Sequence, residues 1–338
     1  MIYLQKILLL VFLVISNCAN GQKTISLEIV SDTTLPVKKT FLKNRFSDTA
    51  KLRTELSDFI AGLHEKGFIE ASVDSLVAES TDHYVAKVHS GHRYFWKDIQ
   101  IKGLSAEEKK KIARRKKRFK GKPVNFREME ALKKNILVFF ENAGFPFAGI
   151  NLQIQDHSPD SLIAVLKIDK HFQVTIDSIY VKGEAAIDPY YIYNYLDLHP
   201  ADIYQEKKVK SISKKIKNLQ FLEEQKKPEL YFEGKKANLW LYLKEKKSNQ
   251  FDGLVGFLPD NEESGKLEIT GELNLFLENS FKKGETISLN WQKLEKSSQK
   301  LNTAFSYPYL FRTFLGVKAD FSLLKKDTLY LRVNYNIG

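Results

Sequence analysis

The C-terminal part of the chain alternates apolar and mostly polar residues with a period of two. In KLEITGELNLFLE (266–278) the apolar positions are Leu267, Ile269, Leu273, Leu275 and Leu277. The alternation defines six segments, at 251–257, 266–278, 285–294, 301–307, 314–321 and 329–337. A period of two with one polar side predicts an antiparallel meander that has one apolar face.

Two architectures satisfy this pattern. In a soluble sandwich the apolar faces meet in a core, so Leu273, Leu275 and Trp291 would be buried in protein. In a membrane barrel those faces contact lipid and the polar faces line a wet lumen. Segment lengths suited to tilted crossing, aromatic residues near segment ends, and short connections at 279–284 and 308–313 favour the barrel.

Three segments between residues 22 and 249 share another plan. The strand DIQIKG (98–103) recurs as SIYVKG (178–183), and TISLEIV (24–30) is a more divergent copy. Helical stretches follow, then a Gly-aromatic break in HEKGFIEA and ENAGFPFA, which becomes NLQFLEE without the glycine in the third copy. A pair of strands ends each copy. This recurrence predicts three β-α-α-β-β modules, each a small sheet covered by two helices.

The helices of these modules carry recognisable start signals and apolar faces. Ser105 with Glu108, and Asn125 with Glu128, form capping boxes, and Asp188-Pro189 begins a helix in the third copy. Spacings of three, four and seven predict one buried stripe per helix. The stripes are Leu52, Leu56, Phe59, Ile60 and Leu63; Met129, Leu132, Ile136, Phe139 and Phe140; and Val209, Ile212, Ile216 and Leu219.

The N-terminus predicts export. Lys6 precedes an apolar run (7–15) that is too short for a membrane helix, and small residues follow it. We interpret residues 1–21 as a signal peptide. Cys18, the single cysteine, offers lipidation as the alternative to cleavage before Gln22. After such cleavage neither a disulfide nor a thiolate metal site is possible.

A net charge of +12 suggests association with acidic surfaces, and export disfavours nucleic acid. Ten of the fourteen residues in KKKIARRKKRFKGK (109–122) are basic. We favour the solvated face of a helix for this run. The alternative is contact with anionic headgroups or an acidic partner, through Arg114, Arg115, Lys116, Lys117 and Arg118.

The sequence indicates no enzymatic chemistry and no cofactor. His83, His89 and His92 lie close together, but no carboxylate or thiolate accompanies them at a fixed spacing, so we interpret them as ordinary strand and turn residues. Motifs of the nucleophile elbow, the zinc metalloproteases and the phosphate-binding loop do not occur.

The strand-Gly openings at Gly103 and Gly183, with the breaks at Gly67-Phe68 and Gly144-Phe145, resemble the POTRA (polypeptide-transport-associated) domain. That domain precedes outer-membrane barrels of the BamA/TamA assembly family. TGELNLFLENSFKKGETISLNWQ (270–292) is similar to the early barrel strands of the same family. The resemblance implies α+β POTRA repeats followed by the first strands of an antiparallel transmembrane β-barrel. The expected divisions are a signal peptide (1–21), modules at 22–95, 96–172 and 173–249, and barrel strands at 250–338.

The resemblance also implies a role, which is to assemble and insert outer-membrane proteins. Periplasmic modules would capture unfolded clients by β-augmentation, with outer-membrane lipid and periplasmic or lipoprotein accessory subunits as further partners. In the family the first barrel strand forms a weak seam for client strands. The matching residues are Gly253, Val255, Gly256 and Phe257.

Two other functions stay open. A translocation pore would share the architecture, and a soluble periplasmic scaffold would end in a β-sandwich. Family barrels have about sixteen strands, and a bacterial barrel needs about eight or more. Because six segments would leave two open edges, we expect the chain to be the N-terminal part of a longer protein.

Overall fold

The structure, a computed structural model, describes residues 24–31, 45–259, 267–295, 298–326 and 330–338. The predicted signal peptide (1–21) and Cys18 lie outside the described residues. The chain forms two compact units, one of Met1–Leu137 with Gly149–Asp169 and the other of Val138–Ala148 with Lys170–Gly338. The finer domain boundaries stay a prediction.

The first unit contains two helix-and-sheet modules. In the first module the elements are β1 (Ile25–Ser31), β2 (Arg45–Phe46), α1 (Thr49–Glu65), β3 (Ser72–Ala78) and β4 (His83–His89). Its sheet has the order β2-β1-β4-β3, with β1 parallel to β4. In the second module they are β5 (Phe95–Lys102), α2 (Ala106–Lys117), α3 (Phe126–Glu141), β6 (Gly149–Ser158) and β7 (Ser161–Asp169). The order there is β5-β7-β6, and α3 contributes residues to both units.

The second unit contains a third module and a large sheet. The module consists of β8 (Thr175–Lys182), α4 (Pro189–Leu196), α5 (Glu206–Lys217), β9 (Leu222–Glu233) and β10 (Lys236–Glu245), with the strand order β8-β10-β9. In all three modules the opening strand lies parallel to the last strand, which pairs antiparallel with the strand before it. The predicted β-α-α-β-β order is present in the second and third modules. In the first, one helix lies within the described residues.

The helices begin where the capping residues predict. The hydroxyl of Ser105 accepts the Glu108 amide at 3.3 Å, and the Glu108 carboxylate accepts the Ser105 amide at 2.7 Å. Asn125 Oδ1 accepts the Glu128 amide at 3.0 Å and Asp188 Oδ1 accepts the Tyr190 amide at 2.8 Å, so each caps its helix through one such bond. The predicted stripes face the cores, because Leu52, Met129, Ile136 and Ile212 are fully buried. Phe59, Phe139 and Val209 are half-buried at the margins of those stripes.

The large sheet is an antiparallel meander of six strands in chain order. They are β11 (Gln250–Pro259), β12 (Leu267–Glu278), β13 (Thr286–Glu295), β14 (Ser298–Tyr307), β15 (Val317–Lys326) and β16 (Tyr330–Ile337). The fifth predicted strand (314–321) begins too early. Phe314 and Leu315 belong to the preceding turn, where the Leu315 carbonyl accepts the Leu310 amide at 2.6 Å. The structure is therefore α+β, with helix-and-sheet modules followed by a six-stranded antiparallel sheet that does not close on itself within the described residues. None of the described helices is both long and apolar enough to cross a membrane.

Candidate functional site

One face of the large sheet is largely apolar across its middle. Strand register aligns its side chains in rows across β12–β16. One central row is Leu273, Trp291, Leu301, Leu323 and Val333. The next row is Leu275, Leu289, Thr303, Phe321 and Tyr335. Among the described residues no other sheet or helix makes extensive contact with the six strands. Leu273, Leu275 and Trp291 are only half-buried, whereas a sandwich requires them to be buried. The apolar surface is thus left open by the described part of the chain.

The other face carries a row of small polar side chains across all six strands. Register places in one line Asp252, Asn274, Asn290, Asn302, Ser322 and Asn334. The Asn290 amide donates to the Asn274 oxygen, and the Asn334 amide donates to Ser322 Oγ at 3.2 Å. We call this line the amide row. It lies in a concavity of about 680 Å³ on the polar side of the sheet.

The amide row was not identified from the sequence. Each asparagine stood at a polar position of a predicted strand, so the alternation placed it on the correct face. Alignment between strands depends on register, which the turns set. Counting outward from the connection at 279–285 would have paired Asn274 with Asn290.

The predicted seam residues all lie on β11, which forms one free edge of the sheet within the described residues. Val255 and Phe257 are 67% and 63% exposed. A Cβ at Gly253 would lie 3.4 Å from Leu273 Cδ1, and one at Gly256 would lie 3.1 Å from Thr270 Oγ1. The structure thus brings the four residues together at an accessible edge, and the entry of clients there stays a prediction.

A third glycine fixes how β11 joins its neighbour. A Cβ at Gly271 would overlap the Leu254 carbonyl oxygen, so β12 admits no side chain at this point. Sequence inspection noted a Gly-containing strand and missed this role. Leu254 itself departs from the alternation, because it lies on the polar face opposite Glu272 and is 73% exposed.

The turn between β12 and β13 is organised around two buried polar side chains. Asn279 and Glu285 are 3% and 1% exposed. Glu285 accepts the Phe281 amide and, at 3.1 Å, the Lys283 amide, and Asn279 Oδ1 accepts the Gly284 amide at 2.9 Å. The predicted connection at 279–284 is therefore confirmed. These bonds satisfy the backbone groups that a turn leaves unpaired.

This turn docks on helix α4 of the third module. The Asp188 amide donates to the Lys282 carbonyl at 2.7 Å, and Asn279 Nδ2 donates to the Ala186 carbonyl at 3.3 Å. Gly284 has a φ of +73°, and a Cβ there would overlap the Tyr191 ring. Glycine is required at this position both by its left-handed backbone and by the close approach of the ring.

The turn between β14 and β15 contacts the same helix. The Tyr190 hydroxyl donates to the Arg312 carbonyl at 2.5 Å, and the Tyr191 ring centroid lies 5.6 Å from that of Tyr309. Burial raises the pKa of both Tyr191 and Tyr309 above the ordinary tyrosine value, because the ionised phenol would lose hydration. Tyr191 thus packs against both turns, and we call this arrangement the tyrosine joint.

The predicted basic contact lies in the other unit. Arg114, Arg115, Lys116 and Lys117 are in α2, but their side chains are not among those the structure describes. Arg118 follows the helix, is exposed, and places its guanidinium 5.6 Å from the Phe119 ring centroid. Contact of these residues with an anionic surface stays a prediction.

The three neighbouring histidines do not converge. His83 lies 3.7 Å from Glu28 and 3.8 Å from Glu79, two carboxylates that sequence spacing did not reveal. The Glu70 carboxylate accepts the His92 amide at 3.4 Å. Among the described residues no group of three His, Cys, Asp or Glu side chains is arranged to hold a metal ion.

The chain is similar to several solved structures at low sequence identity. No family model and no curated protein matches the chain. BamA from Haemophilus ducreyi lacking POTRA domains 1–3 aligns with 72% of this chain and 47% of its own, at a TM-score of 0.50 and 12% identity. The structure of POTRA3–5 of Haemophilus influenzae BamA aligns over 66% of this chain and 96% of its own length, with a TM-score of 0.44 and 13% sequence identity. CdiB from Escherichia coli aligns over 85% of this chain and 52% of its own length, with a TM-score of 0.36 and 13% sequence identity.

The fold assignment rests on the Haemophilus ducreyi structure alone, and the chain spans about half the length of that structure. At 12% identity the likeness shows a shared fold. The resemblance seen in the sequence is confirmed at this level: over the aligned residues the chain shares its fold with BamA.

Proposed function

We propose that the chain is part of an outer-membrane protein that assembles or inserts other outer-membrane proteins, with POTRA modules in the periplasm and the large sheet forming barrel wall. One observation carries the proposal: the sheet has an uncovered apolar face and, opposite it, the continuous amide row. A wall between lipid and a wet lumen requires this division.

Lipid also explains why the face is left open. Hydrocarbon supplies the apolar surroundings that a second protein layer supplies in a sandwich. It supplies no hydrogen bonds, so the edges at β11 and β16 need strand partners inside the membrane. A client strand is one such partner, and this connects the seam to assembly.

Client entry would use β11. An extended strand that pairs with β11 satisfies its unpaired N–H and C=O groups, whatever the sequence of the strand. Gly253 and Gly256 reduce side-chain cover along this edge, which favours a pairing that can be exchanged. The edge strands of the periplasmic modules would hold clients in the same manner before delivery.

The basic segment would add weak attraction. Arg114, Arg115, Lys116, Lys117 and Arg118 would approach anionic headgroups or acidic clients without a specific pocket. Replacement of all five by Gln should weaken binding to anionic vesicles at low salt, and unchanged binding would exclude the contact.

The test of the proposal combines fractionation with cross-linking. The full-length protein should sediment with the outer membrane and resist extraction at high pH. A photo-cross-linker at Val255 should trap nascent barrel proteins, whereas one at Leu289, on the same face but between β12 and β14, should not. A protein that stays in the aqueous fraction, or a Val255 cross-linker that captures only its own chain, would contradict the assembly role.

A further inference from the structure

Both turns of the tyrosine joint lie at one end of the large sheet. The sheet begins at Gln250, shortly after the third module ends at Glu245, and β12 and β14 return to that end. The turns at 279–285 and 308–316 are therefore neighbours at the module end, and Tyr191 contacts both of them.

These turns expose large apolar side chains. Phe311 is 88% exposed, Phe314 84%, Phe281 62% and Leu315 59%. We call the four the aromatic tip. The sequence segments 260–266, 296–297 and 327–329, which lie between the other consecutive strands, contain no aromatic residue. An exposed apolar cluster at one end of a sheet indicates a contact surface.

The backbone holds the aromatic tip outward. Tyr309, Phe311 and Arg312 have φ values of +57°, +51° and +59°, in the left-handed region that side chains other than glycine disfavour. Hydrogen bonds fix the turn, from the Leu310 amide to the Leu315 carbonyl at 2.6 Å and from the Leu315 amide to Thr313 Oγ1 at 3.2 Å. Left-handed backbone at three residues of one short turn is costly, and strain of this kind is concentrated at functional sites.

The charge of the two turns selects the partner. Lys282, Lys283 and Arg312 are exposed and basic, whereas Glu285 is buried with its oxygens accepting backbone amides. The solvent-facing charge is thus entirely positive in these two segments. Aromatic rings beside basic side chains at the end of an apolar band are suited to a layer of anionic lipid headgroups.

We propose that the aromatic tip inserts into the lipid headgroup layer on the module side of the membrane, where Lys282, Lys283 and Arg312 contact anionic phosphates. The inference rests on the membrane location proposed above and goes further, because it names a lipid-binding surface outside the barrel wall. Since Tyr191 packs against both turns, the same insertion would hold helix α4 at a fixed height above the bilayer.

Depth-dependent quenching tests the insertion. In the full-length protein with Cys18→Ser, single cysteines at Phe314→Cys, Leu289→Cys and Asp74→Cys carry an environment-sensitive dye. The protein is reconstituted in phosphatidylethanolamine vesicles with phosphatidylglycerol, and nitroxide lipids quench at the headgroup or at mid-chain. We expect several-fold stronger headgroup than mid-chain quenching at 314, the reverse at 289, and neither at 74, which is exposed in β3.

Each outcome separates the two proposals. Quenching at 289 without quenching at 314 overturns the insertion and leaves the membrane location intact. Absence of quenching at both positions overturns the membrane location, and the insertion with it. A dye at 314 that responds to an unfolded client in detergent but not to lipid quenchers overturns the insertion in favour of a protein partner.

A charge variant tests the headgroup chemistry. Lys282→Gln with Lys283→Gln should reduce headgroup quenching at 314 in phosphatidylglycerol vesicles, since each lysine strengthens attraction to an anionic surface about fivefold. In phosphatidylcholine vesicles the variant should equal the parent protein. Equal behaviour in both kinds of vesicle would overturn the contact with anionic phosphates.

Discussion

Gly67 ends helix α1 in a conformation that excludes a side chain. Its φ is +96°, and a Cβ would lie 2.6 Å from the Tyr94 carbonyl oxygen and 3.1 Å from Pro123 Cβ. The Gly67 carbonyl also accepts the Tyr94 amide at 2.8 Å. Within the second unit Gly144 has a φ of +93° and accepts the Val174 amide at 2.7 Å. The Gly-aromatic break is therefore a docking point for the chain that follows the module.

Gly67→Ala should loosen this docking point by about 1–3 kcal/mol, because alanine must leave the left-handed region or displace the Tyr94 backbone. Hydrogen exchange at the amides of Tyr94 and Val124 should accelerate accordingly. The matched control is Gly62→Ala, inside α1 with open space around its Cβ, which should stabilise the helix by up to about 1 kcal/mol. Equal exchange in the two variants would contradict the docking role.

The Glu229 carboxylate on β9 accepts from three side chains. An ion pair with Lys226 and hydrogen bonds from the hydroxyls of Tyr242 and Tyr231 lower its pKa to about 2. A lowered folded-state pKa means that the stabilisation is present above pH 4.5, the ordinary pKa of a glutamate side chain, and is lost as pH falls towards 2.

Urea unfolding at a series of pH values should therefore show wild-type stability falling between about pH 4.5 and pH 2, with a smaller fall in Glu229→Gln. Glu233→Gln, an exposed position on the same strand, is the control and should keep the wild-type profile. An unchanged acid profile in Glu229→Gln would show that this carboxylate does not contribute.

At the scale of the element, the pairing of strand β11 with β12 depends on Gly271, whereas Gly253 on β11 leaves room for a methyl group. Gly271→Ala should push β11 away, because the added methyl would overlap the Leu254 carbonyl. Gly253→Ala is the control, since its methyl would make an ordinary 3.4 Å contact with Leu273. Hydrogen exchange across 250–259 should rise in the first variant alone. A comparable rise in both would mean that the whole edge is intrinsically loose.

Tyr191 on helix α4 should hold both turns of the tyrosine joint in place. Tyr191→Ala should free both turns, because loss of a buried aromatic ring costs about 3–5 kcal/mol. Tyr191→Phe keeps the ring and should retain the joint. Limited proteolysis within 279–285 and 308–316 distinguishes the variants, with cleavage expected to accelerate only in the alanine form. Similar cleavage in both would assign the rigidity of the turns to their own hydrogen bonds.

Sequence reasoning succeeded for elements whose signal is local. Caps at Ser105, Asn125 and Asp188 and the two periodicities predicted the helices and the meander because each depends on neighbouring residues. The start of β15 was misplaced, since the apolar residues Phe314 and Leu315 continue the alternation although the backbone is still turning. The amide row and the tyrosine joint were missed because they bring together residues far apart in the chain.

At the scale of the whole molecule, a charged side chain should destabilise the apolar face of the sheet and be tolerated on the polar face. Leu289 and Asn290 are adjacent near the middle of β13, and the first lies on the apolar face while the second lies in the amide row. If lipid covers the apolar face, Leu289→Arg should destabilise the membrane-embedded protein by about 2–4 kcal/mol. Asn290→Arg should cost far less, since its side chain would face water.

Urea unfolding from vesicles measures the loss of stability in each of the two arginine variants, and the yield of refolded protein is a second measurement. The two variants lie at adjacent positions of β13, at about the same depth, and both introduce arginine, so effects on the backbone cancel in the comparison. Equal losses would show that the two faces share one environment, which a lipid-exposed wall excludes. A loss for Leu289→Arg that persists in protein stable without any lipid or detergent would mean that another protein surface covers the apolar face. Because the proposed need of β11 for a strand partner comes from hydrocarbon, which supplies no hydrogen bonds, that result would also remove this argument for assembly.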